Sequence, residues 1–306
     1  MVTVACVNAF VDPAVVPAPS GNPAGVVLSA PVLSDAAYLA IAKAVGYSET
    51  VFVFGNIATG LTLRYFTPVA EVPFCGHATL AALALLQQQG IWRVHEQPCL
   101  TFATGVGPLR MAYQTLTGAL WMQQCPPVFG PCLSREEIAA SLNVPPSALS
   151  ATLPPQVVST GLPDVMVPVK DRETLNALQP NLAAVSAISR REGVVGYHVF
   201  CMPEEGSLPS LWAHCRNLAP LLGIEEEAAT GSASGALAAY LWQHKAFPVG
   251  AMAEFSGAFA FEQGLAMGFP SHIEGSLQVG DTGVEEVWVG GHAVAFQTLQ
   301  VPHPLH

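Results

Sequence analysis

Two short stretches of the sequence share the same order of features, and this repeat constrains the fold more than any other part of the chain. The first leads from Phe66-Thr67-Pro68 over a seven-residue spacer to the helix start 76–82 (GHATLAA). The second leads from Leu218-Ala219-Pro220 over a ten-residue spacer to 231–237 (GSASGAL). Each joins a predicted strand to a helix of small residues. Such a repeat favours two duplicated domains; the alternative is chance similarity between Ala-rich helices.

Length and composition allow two domains. The chain has 306 residues, of which 51% are hydrophobic and 11% charged, so there is apolar material for two cores and too little charge for a disordered chain. The segment 124–133 (QCPPVFGPCL), rich in Pro, Gly and Cys, is the predicted connector. We therefore expect an N-terminal domain over 1–124, with a strand near 292–300 as a candidate addition, and a C-terminal domain over 125–291.

Predicted strands outnumber predicted helices and mostly follow one another directly. This order favours an α+β fold with largely antiparallel sheets over a doubly wound parallel sheet. The pattern predicts a helix over 35–45 and another that begins at a capping box of Ser134 and Glu137. Short strands and a loose tail at 301–306 are expected after His244. No GxGxxG follows a predicted strand, so a Rossmann-type nucleotide site is not expected.

The charge and the cysteines restrict the partners and the compartment. A net charge of −11, from 11 basic and 22 acidic residues, argues against nucleic-acid and polybasic membrane-surface binding. No apolar run reaches the length of about 18 residues that a membrane span needs, and no signal peptide is visible at the N-terminus. Seven scattered cysteines without a CxxC pair indicate reduced thiols. We expect a cytoplasmic protein with no nucleic-acid or membrane partner.

The two small-residue helix starts are candidate anion sites. Unpaired backbone N–H groups at Gly76 and Gly231, together with the helix dipole, favour a negative charge. A small mono- or dicarboxylate would fit if the two domains face each other. The alternative is that both glycines only allow a helix to pack closely against a sheet. Ser232 is a further candidate donor to a carboxylate, and no G-x-S-x-G surrounds it that would indicate a serine hydrolase.

Glu49 is the candidate general acid/base. It stands at the entry to the apolar segment 50–54 (TVFVF), where partial desolvation raises the pKa of a carboxyl group and suits it to proton transfer. The alternative is a surface glutamate at a strand edge. Glu227, the last of three acids before the second helix start, either favours the helix dipole or accepts a hydrogen bond from a substrate hydroxyl or amine.

Cys75 and His77 flank Gly76 at the first helix start. A thiol in this position can become acidic and nucleophilic, and the helix dipole keeps an imidazole neutral, so that it can donate a proton to a substrate or accept one. The alternatives are a Cys-His hydrolase dyad and a packed or capping histidine. A Cys-x-His pair alone is too short to indicate zinc, so no metal site is expected.

In these residues the chain resembles the PhzF-type phenazine-biosynthesis proteins of the diaminopimelate epimerase-like superfamily. The matching motifs follow one another over nearly the whole chain. They are VNAF (7–10), GNPAGVV (21–27), SET (48–50), RYFTP (64–68), EV (71–72), CGHAT (75–79), STGLP (159–163), RNLAP (216–220), GI (223–224), TGSA (230–233), QG (263–264), MG (267–268) and VGG (289–291).

The resemblance implies two similar α+β domains, each a curled, mostly antiparallel sheet around a central helix, with the active site in the cleft between them. It also implies a homodimer, no cofactor, a small anionic substrate, and the movement of a proton between carbon atoms by Glu49. The residues implied for catalysis are Glu49, His77, Glu227 and Ser232, and those implied for substrate binding are Asn22, Cys75, Gly76, Thr230 and Gly231.

Two departures from the family pattern keep alternatives open. Glu227-Ala228 stands where the family commonly has Asp-Pro, and Phe269 stands where it has arginine. These changes motivate a non-catalytic ligand-binding protein as one alternative to an isomerase. A Cys75-dependent racemase is another, although Thr230 stands where a second catalytic cysteine would be, which disfavours a two-thiol mechanism.

Overall fold

The structure is a computed structural model that describes residues 1–15, 19–208, 210–246, 259–281 and 283–302. It contains two compact units, Met1–Gln123 with Gly290–His306, and Gln124–Val289. The predicted loose tail lies outside the described residues from 303 onward, and so do residues 247–258, for which the sequence predicts short strands.

In the part of the chain that the structure describes, the first unit has ten strands and α-helices, together with the end of a strand that begins in the second unit. They are β1 (Val2–Val11), β2 (Asn22–Val27), α1 (Asp35–Val45), β3 (Glu49–Asn56), β4 (Gly60–Phe66), β5 (Glu71–Val72), α2 (Gly76–Gln88), β6 (Cys99–Thr104), β7 (Gly107–Tyr113) and β8 (Leu120–Gln123).

The second unit repeats this type of chain path. Its elements are β9 (Val128–Cys132), α3 (Arg135–Ser141), β10 (Gln156–Ser159), β11 (Pro163–Pro168), α4 (Arg172–Ala177), α5 (Leu182–Glu192), β12 (Tyr197–Cys201), β13 (Leu211–Ala219), β14 (Ile224–Glu227), α6 (Gly231–Gln243), β15 (Phe259–Gln263) and β16 (Ser271–Gly280). The last strand, β17 (Gly283–Val301), begins in this unit, and its residues from Gly290 onward belong to the first unit.

Strand pairing follows one scheme in both units. The first sheet has the order β17-β1-β2-β3-β4-β6-β7-β8, and its neighbours are antiparallel except for the parallel pairs β2–β3 and β4–β6. The second has the order β9-β10-β11-β12-β13-β15-β16, with β11–β12 and β13–β15 parallel. The two-domain α+β fold predicted from the sequence is therefore confirmed.

A helix of small residues lies at the centre of each unit. Every residue of α2 from Gly76 to Leu86 and of α6 from Gly231 to Leu241 is buried. Helix α2 packs against β1, β2, β3 and β8, and α6 packs against β10, β11 and β16. Because strands surround these helices on several sides, both are apolar all round rather than amphipathic, and small side chains let the strands approach closely.

The predicted connector is wrong in part, because 128–132 form strand β9, paired with β10. In this pairing Cys132 lies opposite Gln156 and Phe129 opposite Val158, so Gly130 and Pro131 together face a single residue. That is the arrangement of a β-bulge, where a proline without a backbone N–H is tolerated. The prediction of short strands after His244 is right for β15, which has 5 residues, and wrong for β16 and β17, which have 10 and 19.

One of the two hydrogen bonds of the predicted capping box at α3 is present. The side chain of Ser134 accepts a hydrogen bond from the backbone N–H of Glu137, as predicted. The carboxylate of Glu137 does not return to the helix start, because it accepts two hydrogen bonds from the guanidinium of Arg191. A charge-assisted bidentate pair is stronger than a hydrogen bond to a neutral backbone N–H, which explains why Glu137 pairs with Arg191.

An arginine clamps the strand before the central helix in each unit. In the first unit Arg64 of β4 donates two hydrogen bonds to Glu71 of β5, both 2.7 Å long. In the second, Arg216 of β13 donates two to Glu226 of β14, at 2.9 and 2.7 Å. The buried Arg216 guanidinium also donates to two backbone carbonyls at the end of α4 and just after it. The two clamps are structural counterparts in different surroundings.

Replacing the two clamp arginines should have unequal effects on stability. Arg216→Met leaves Glu226 and two buried carbonyls without their donors, so we expect the free energy of unfolding to fall by about 3–5 kcal/mol. The Arg64 side chain is 30% exposed, so we expect Arg64→Met to cost about 1 kcal/mol or less. Urea unfolding of both variants measures the difference, and equal losses would contradict this interpretation.

Candidate active site

The start of strand β3 carries Glu49 to the start of helix α2. Helix α1 ends at Gly46, which adopts the left-handed conformation with φ +79°, and the chain enters β3 three residues later. Glu49 lies beside Ala24 in the parallel β2–β3 pair. Gly25 permits this close pairing, because a side chain there would meet Thr50 at 2.7 Å. The candidate acid is thus positioned by sheet pairing and not by a loop.

His77 is the centre of the site in the first unit. Its Nε2 lies 3.3 Å from Oε2 of Glu49 and 3.3 Å from Oγ of Ser48. Its Nδ1 lies 3.2 Å from the side-chain nitrogen of Asn22 and 3.4 Å from Sγ of Cys75. Four of these residues were predicted as site residues and come together here, whereas Ser48 was quoted only within a motif.

The orientation of the Asn22 amide decides the tautomer of His77. With the NH₂ group of Asn22 directed at Nδ1, Nδ1 accepts and the ring proton lies on Nε2, whereas the reversed amide would give the other tautomer. In the observed orientation Nε2 donates, and Oγ of Ser48 is its acceptor. Burial lowers the pKa of His77 to about 3, so the ring is neutral at physiological pH. The His77 ring is thus neutral, as the sequence predicted, and its Nε2–H is a donor.

The carboxyl group of Glu49 is deeply buried, with 5% of the residue exposed. Burial raises its pKa to about 7, against the lowering effect of hydrogen bonds from Ser48 and Cys75. Among the described residues, Oε2 of Glu49 has no hydrogen-bond partner. It lies 3.3 Å from Nε2 of His77, but the hydrogen bond of that nitrogen is with Ser48. Glu49 can therefore hold or release a proton near neutral pH.

In the second unit the predicted residues gather at the start of α6. Oγ of Thr230 donates to Oε2 of Glu227 at 2.7 Å, and both residues are buried. Gly231 and Ser232 open the helix, and the backbone carbonyl of Ser232 accepts from Thr160. The predicted residues thus form two groups, one in each unit.

Gln263 is the residue of the second group that the sequence did not predict. Its side chain accepts from the backbone N–H of Thr230 at 3.2 Å and donates to the backbone carbonyl of Glu227 at 2.8 Å. It also donates to Oγ of Thr230 at 3.1 Å. The motif Gln263-Gly264 was the sequence signal that could have pointed to this turn. Its glycine is required there, because Gly264 has φ +79° and lies too close to Ala228 for any side chain. Gln263 fixes the turn into α6.

The two central helices differ in their N-terminal capping from the four other α-helices of the described residues. Helices α1, α3, α4 and α5 have a side-chain cap that accepts a backbone N–H. The N-cap residues of α2 and α6, Cys75 and Thr230, make no such side-chain bond, and neither helix has an acid in its first turn. Among the described residues, the N-termini of the central helices are therefore the ones suited to an anion.

The first group also contains three types of metal ligand. Donor atoms of Glu49, Cys75 and His77 all lie within 4.8 Å of one another. No sequence pattern predicts such a set, because Glu49 is distant from the Cys-x-His pair along the chain.

Comparison with known proteins identifies the family. The family of phenazine biosynthesis-like proteins, PhzC-PhzF, matches residues 7–298. The chain belongs to this family. A Clostridium acetobutylicum protein named as an uncharacterized isomerase is 34% identical over 286 residues, which cover 90% of this chain and 91% of that protein. Its name agrees with the enzyme class that the sequence predicts.

Solved structures of similar proteins agree on the fold. The crystal structure of a PhzF-family protein from Bacillus anthracis has a TM-score of 0.83 and 26% identity, and covers 98% of this chain and 99% of that one. A hydroxyproline epimerase from Agrobacterium vitis has a TM-score of 0.65 at 11% identity, with 98% and 92% covered, and thus shares the fold.

Within the described residues, no helix combines the length and apolar character needed to cross a membrane. The homodimer and the cytoplasmic location stay predictions.

Replacing Glu49 by glutamine should stabilise the protein in a pH-dependent way. Between its ordinary pKa near 4.5 and the native value of about 7, the native state binds more protons than the unfolded state, so the free energy of unfolding falls as pH rises. Glu49→Gln removes this loss. We expect a gain of up to about 3 kcal/mol near pH 8 and little change near pH 4.

Urea unfolding at the two pH values measures this effect. The control is Glu205→Gln, which changes an exposed glutamate and should follow the wild type at both values. A loss of stability in Glu49→Gln near pH 8 would show that the carboxylate is stabilised in the native protein, contrary to the burial argument.

Proposed function

We propose that the protein is a cofactor-free isomerase that moves a proton between carbon atoms of a small carboxylated substrate, such as a cyclic amino or hydroxy acid. Glu49 is the general acid/base. The observation that carries the proposal is a buried carboxyl group with a pKa of about 7 and with one oxygen lacking a hydrogen-bond partner among the described residues. A group with these properties can both remove and return a proton near neutral pH.

The reaction is balanced without any other reactant. The Glu49 carboxylate removes a proton from an activated carbon, and the electron pair of the C–H bond moves into the substrate. The protonated Glu49 then returns the proton to a different carbon, which restores the carboxylate. The neutral His77 offers its Nε2–H to a polar substrate group, and a preorganised donor of this kind stabilises charge that develops in the transition state.

The helix starts supply the proposed anion binding. In the first unit, Gly76 begins a helix whose N-cap side chain makes no capping bond, so its N–H groups can hold a carboxylate. In the second unit, Gly231 and Ser232 have the same role. Glu227, held by Thr230, accepts a hydrogen bond from a substrate hydroxyl or amine. Asn22 and Cys75 keep His77 and Glu49 in place.

The comparison of the two units supports one acid/base instead of two. Helix α5 ends at Gly193 in the left-handed conformation, as α1 does at Gly46. Glu49 follows Gly46 by three residues, whereas the residues between Gly193 and β12 are Val194, Val195 and Gly196. The second unit therefore has no acid at the matching place in the sequence. Thr230 likewise takes the N-cap position that Cys75 has in the first unit.

Proton exchange in D₂O, followed by NMR, tests the isomerase. We would offer a panel of cyclic and linear amino and hydroxy carboxylates to the wild type, to Glu49→Gln and to the exposed control Glu205→Gln. The expected result is deuterium at a carbon position with the wild type and the control, and a rate lower by about 10²–10⁴-fold with Glu49→Gln. A full rate in Glu49→Gln would eliminate Glu49 as the acid/base.

The same panel separates the two alternatives. A ligand-binding protein without catalysis would bind a panel member in calorimetry, with no exchange and with the same affinity in Glu49→Gln. A racemase that depends on Cys75 would lose its exchange activity completely in Cys75→Ala. The isomerase proposed here keeps a reduced turnover in that variant, because Cys75 only positions Glu49 and His77.

A further inference from the structure

The Nε2–H group of His77 has two acceptors within equal reach. Oγ of Ser48 and Oε2 of Glu49 each lie 3.3 Å from Nε2. The hydrogen bond is with Ser48, and Oε2 of Glu49 is a buried oxygen without a partner among the described residues. An ionised carboxylate is the stronger acceptor of the two, because hydrogen bonds to charged groups are about twice as strong as those between neutral groups. The hydroxyl of Ser48 therefore decides where the imidazole proton is directed.

The two oxygens of the Glu49 carboxyl group have different surroundings. The group receives hydrogen bonds from Ser48 and Cys75, and both fall on Oε1, because Oε2 has no partner among the described residues. A hydroxyl has one hydrogen to donate and two lone pairs that accept. Ser48 can therefore donate to Oε1 of Glu49 and accept from Nε2 of His77 at the same time. One oxygen of the carboxyl group is held, and the other is left for a proton.

Ser48 is fixed in place by both of its neighbours in the chain. Before it, the phenol of Tyr47 shares a hydrogen bond with the thiol of Cys6 in β1. After it, Glu49 begins β3 and pairs with Ala24 of β2. Since both neighbours are tied to the sheet, the half-buried Ser48 hydroxyl is oriented before any substrate arrives.

The corresponding segment of the second unit has no hydroxyl. Gly46 and Gly193 end helices α1 and α5 in the left-handed conformation, and two residues later the first unit has Ser48 and the second has Val195. Helix α6 likewise has no histidine in its first turn. The scaffold that the two units share thus forms without this hydroxyl, which occurs in the unit where an acid and an imidazole are in contact.

We propose that Ser48 is a positioning residue: it holds Oε1 of Glu49 and takes the Nε2–H of His77, so that Oε2 of Glu49 stays free to accept the substrate proton. Without Ser48, the imidazole would donate to Oε2, and one hydrogen bond would engage both the base and the donor. A donor held by a neutral hydroxyl is also released to a substrate more easily than one held by a carboxylate. The role in the reaction rests on the proposed function, whereas the hydrogen-bond arrangement does not.

NMR of the full chain with ¹⁵N-labelled histidine tests this arrangement without any substrate. At pH 8 we expect a neutral His77 ring with its proton on Nε2 in the wild type, assigned by the loss of these signals in His77→Gln. In Ser48→Ala the Nε2–H resonance should move downfield, because the proton passes from a neutral acceptor to a carboxylate. In Ser48→Thr, which keeps the hydroxyl, it should stay at the wild-type position.

The control for the spectra is Ser276→Ala, which changes a half-buried serine of β16 and should leave the resonance unchanged. Near-ultraviolet circular dichroism establishes that the variants are folded. A proton on Nδ1 of His77 in the wild type, or an unchanged Nε2–H resonance in folded Ser48→Ala, would overturn the proposal.

Exchange in D₂O measures the consequence for the reaction. With a panel member that the wild type deuterates, Ser48→Ala should lower the exchange rate by about 10–100-fold, the loss expected for a hydrogen bond to a charged group, with little change in the affinity measured by calorimetry. Ser48→Thr should restore most of the rate. A full rate in Ser48→Ala, or equal losses in both variants, would contradict the role of the hydroxyl. If the wild type exchanges no panel member, the isomerase proposal fails, and the NMR spectra still decide whether Ser48 keeps Oε2 free.

Discussion

The enclosure of a helix within each curved sheet is the constraint on which the rest of the structure depends. With strands around several of its sides, a central helix has no face for long polar side chains, which explains the small residues of α2 and α6. The same enclosure buries their N-termini. Backbone N–H groups in a buried place need a partner, and neither Cys75 nor Thr230 provides a side-chain cap. The anion binding proposed above would satisfy these N–H groups.

The two units share this design but not the chemistry. Both have a glycine-ended helix before a central strand and an arginine clamp before the central helix. In the first unit an acid and an imidazole, Glu49 and His77, are in contact. In the second unit the acid Glu227 accepts a hydrogen bond from the Thr230 hydroxyl, and the amide of Gln263 holds the turn between them. The two helix starts therefore differ in their side-chain chemistry.

Much of the fold could be predicted because its signals are local. Helix α1 is bounded by Ser34 and Gly46 through capping, and the small-residue helices were visible as a repeat. Strand β9 was missed because Gly130 and Pro131, typical of connectors, occupy a bulge whose register depends on a partner strand. The cap partner of Glu137 was missed for a similar reason, since Arg191 is 54 residues away.

The site was predictable where a motif carried it and not where long-range packing made it. Asn22, Glu49, Cys75 and His77 stand in motifs that share a family pattern, and the structure brings them together. Gln263 reaches Glu227 across 36 positions of the chain, and no local rule pairs them. The proximity of Glu49 to Cys75 and His77 could not be predicted either, because strand β3 and helix α2 meet only in the folded unit.

The pairing of β1 with β17 has a consequence for synthesis of the protein. Residues 2–11 pair with residues 292–301, so the first unit cannot complete its sheet until residues 292–301 have left the ribosome. The described strands that pair in the second unit, β9 to β16, all lie between 128 and 280 and are available earlier. The chain of the second unit, which ends at Val289, is therefore synthesised before the last strand partner of the first unit, unlike the usual case in which the N-terminal domain is available first. Until β17 pairs, the edge of β1 that it covers is open to pairing with other strands.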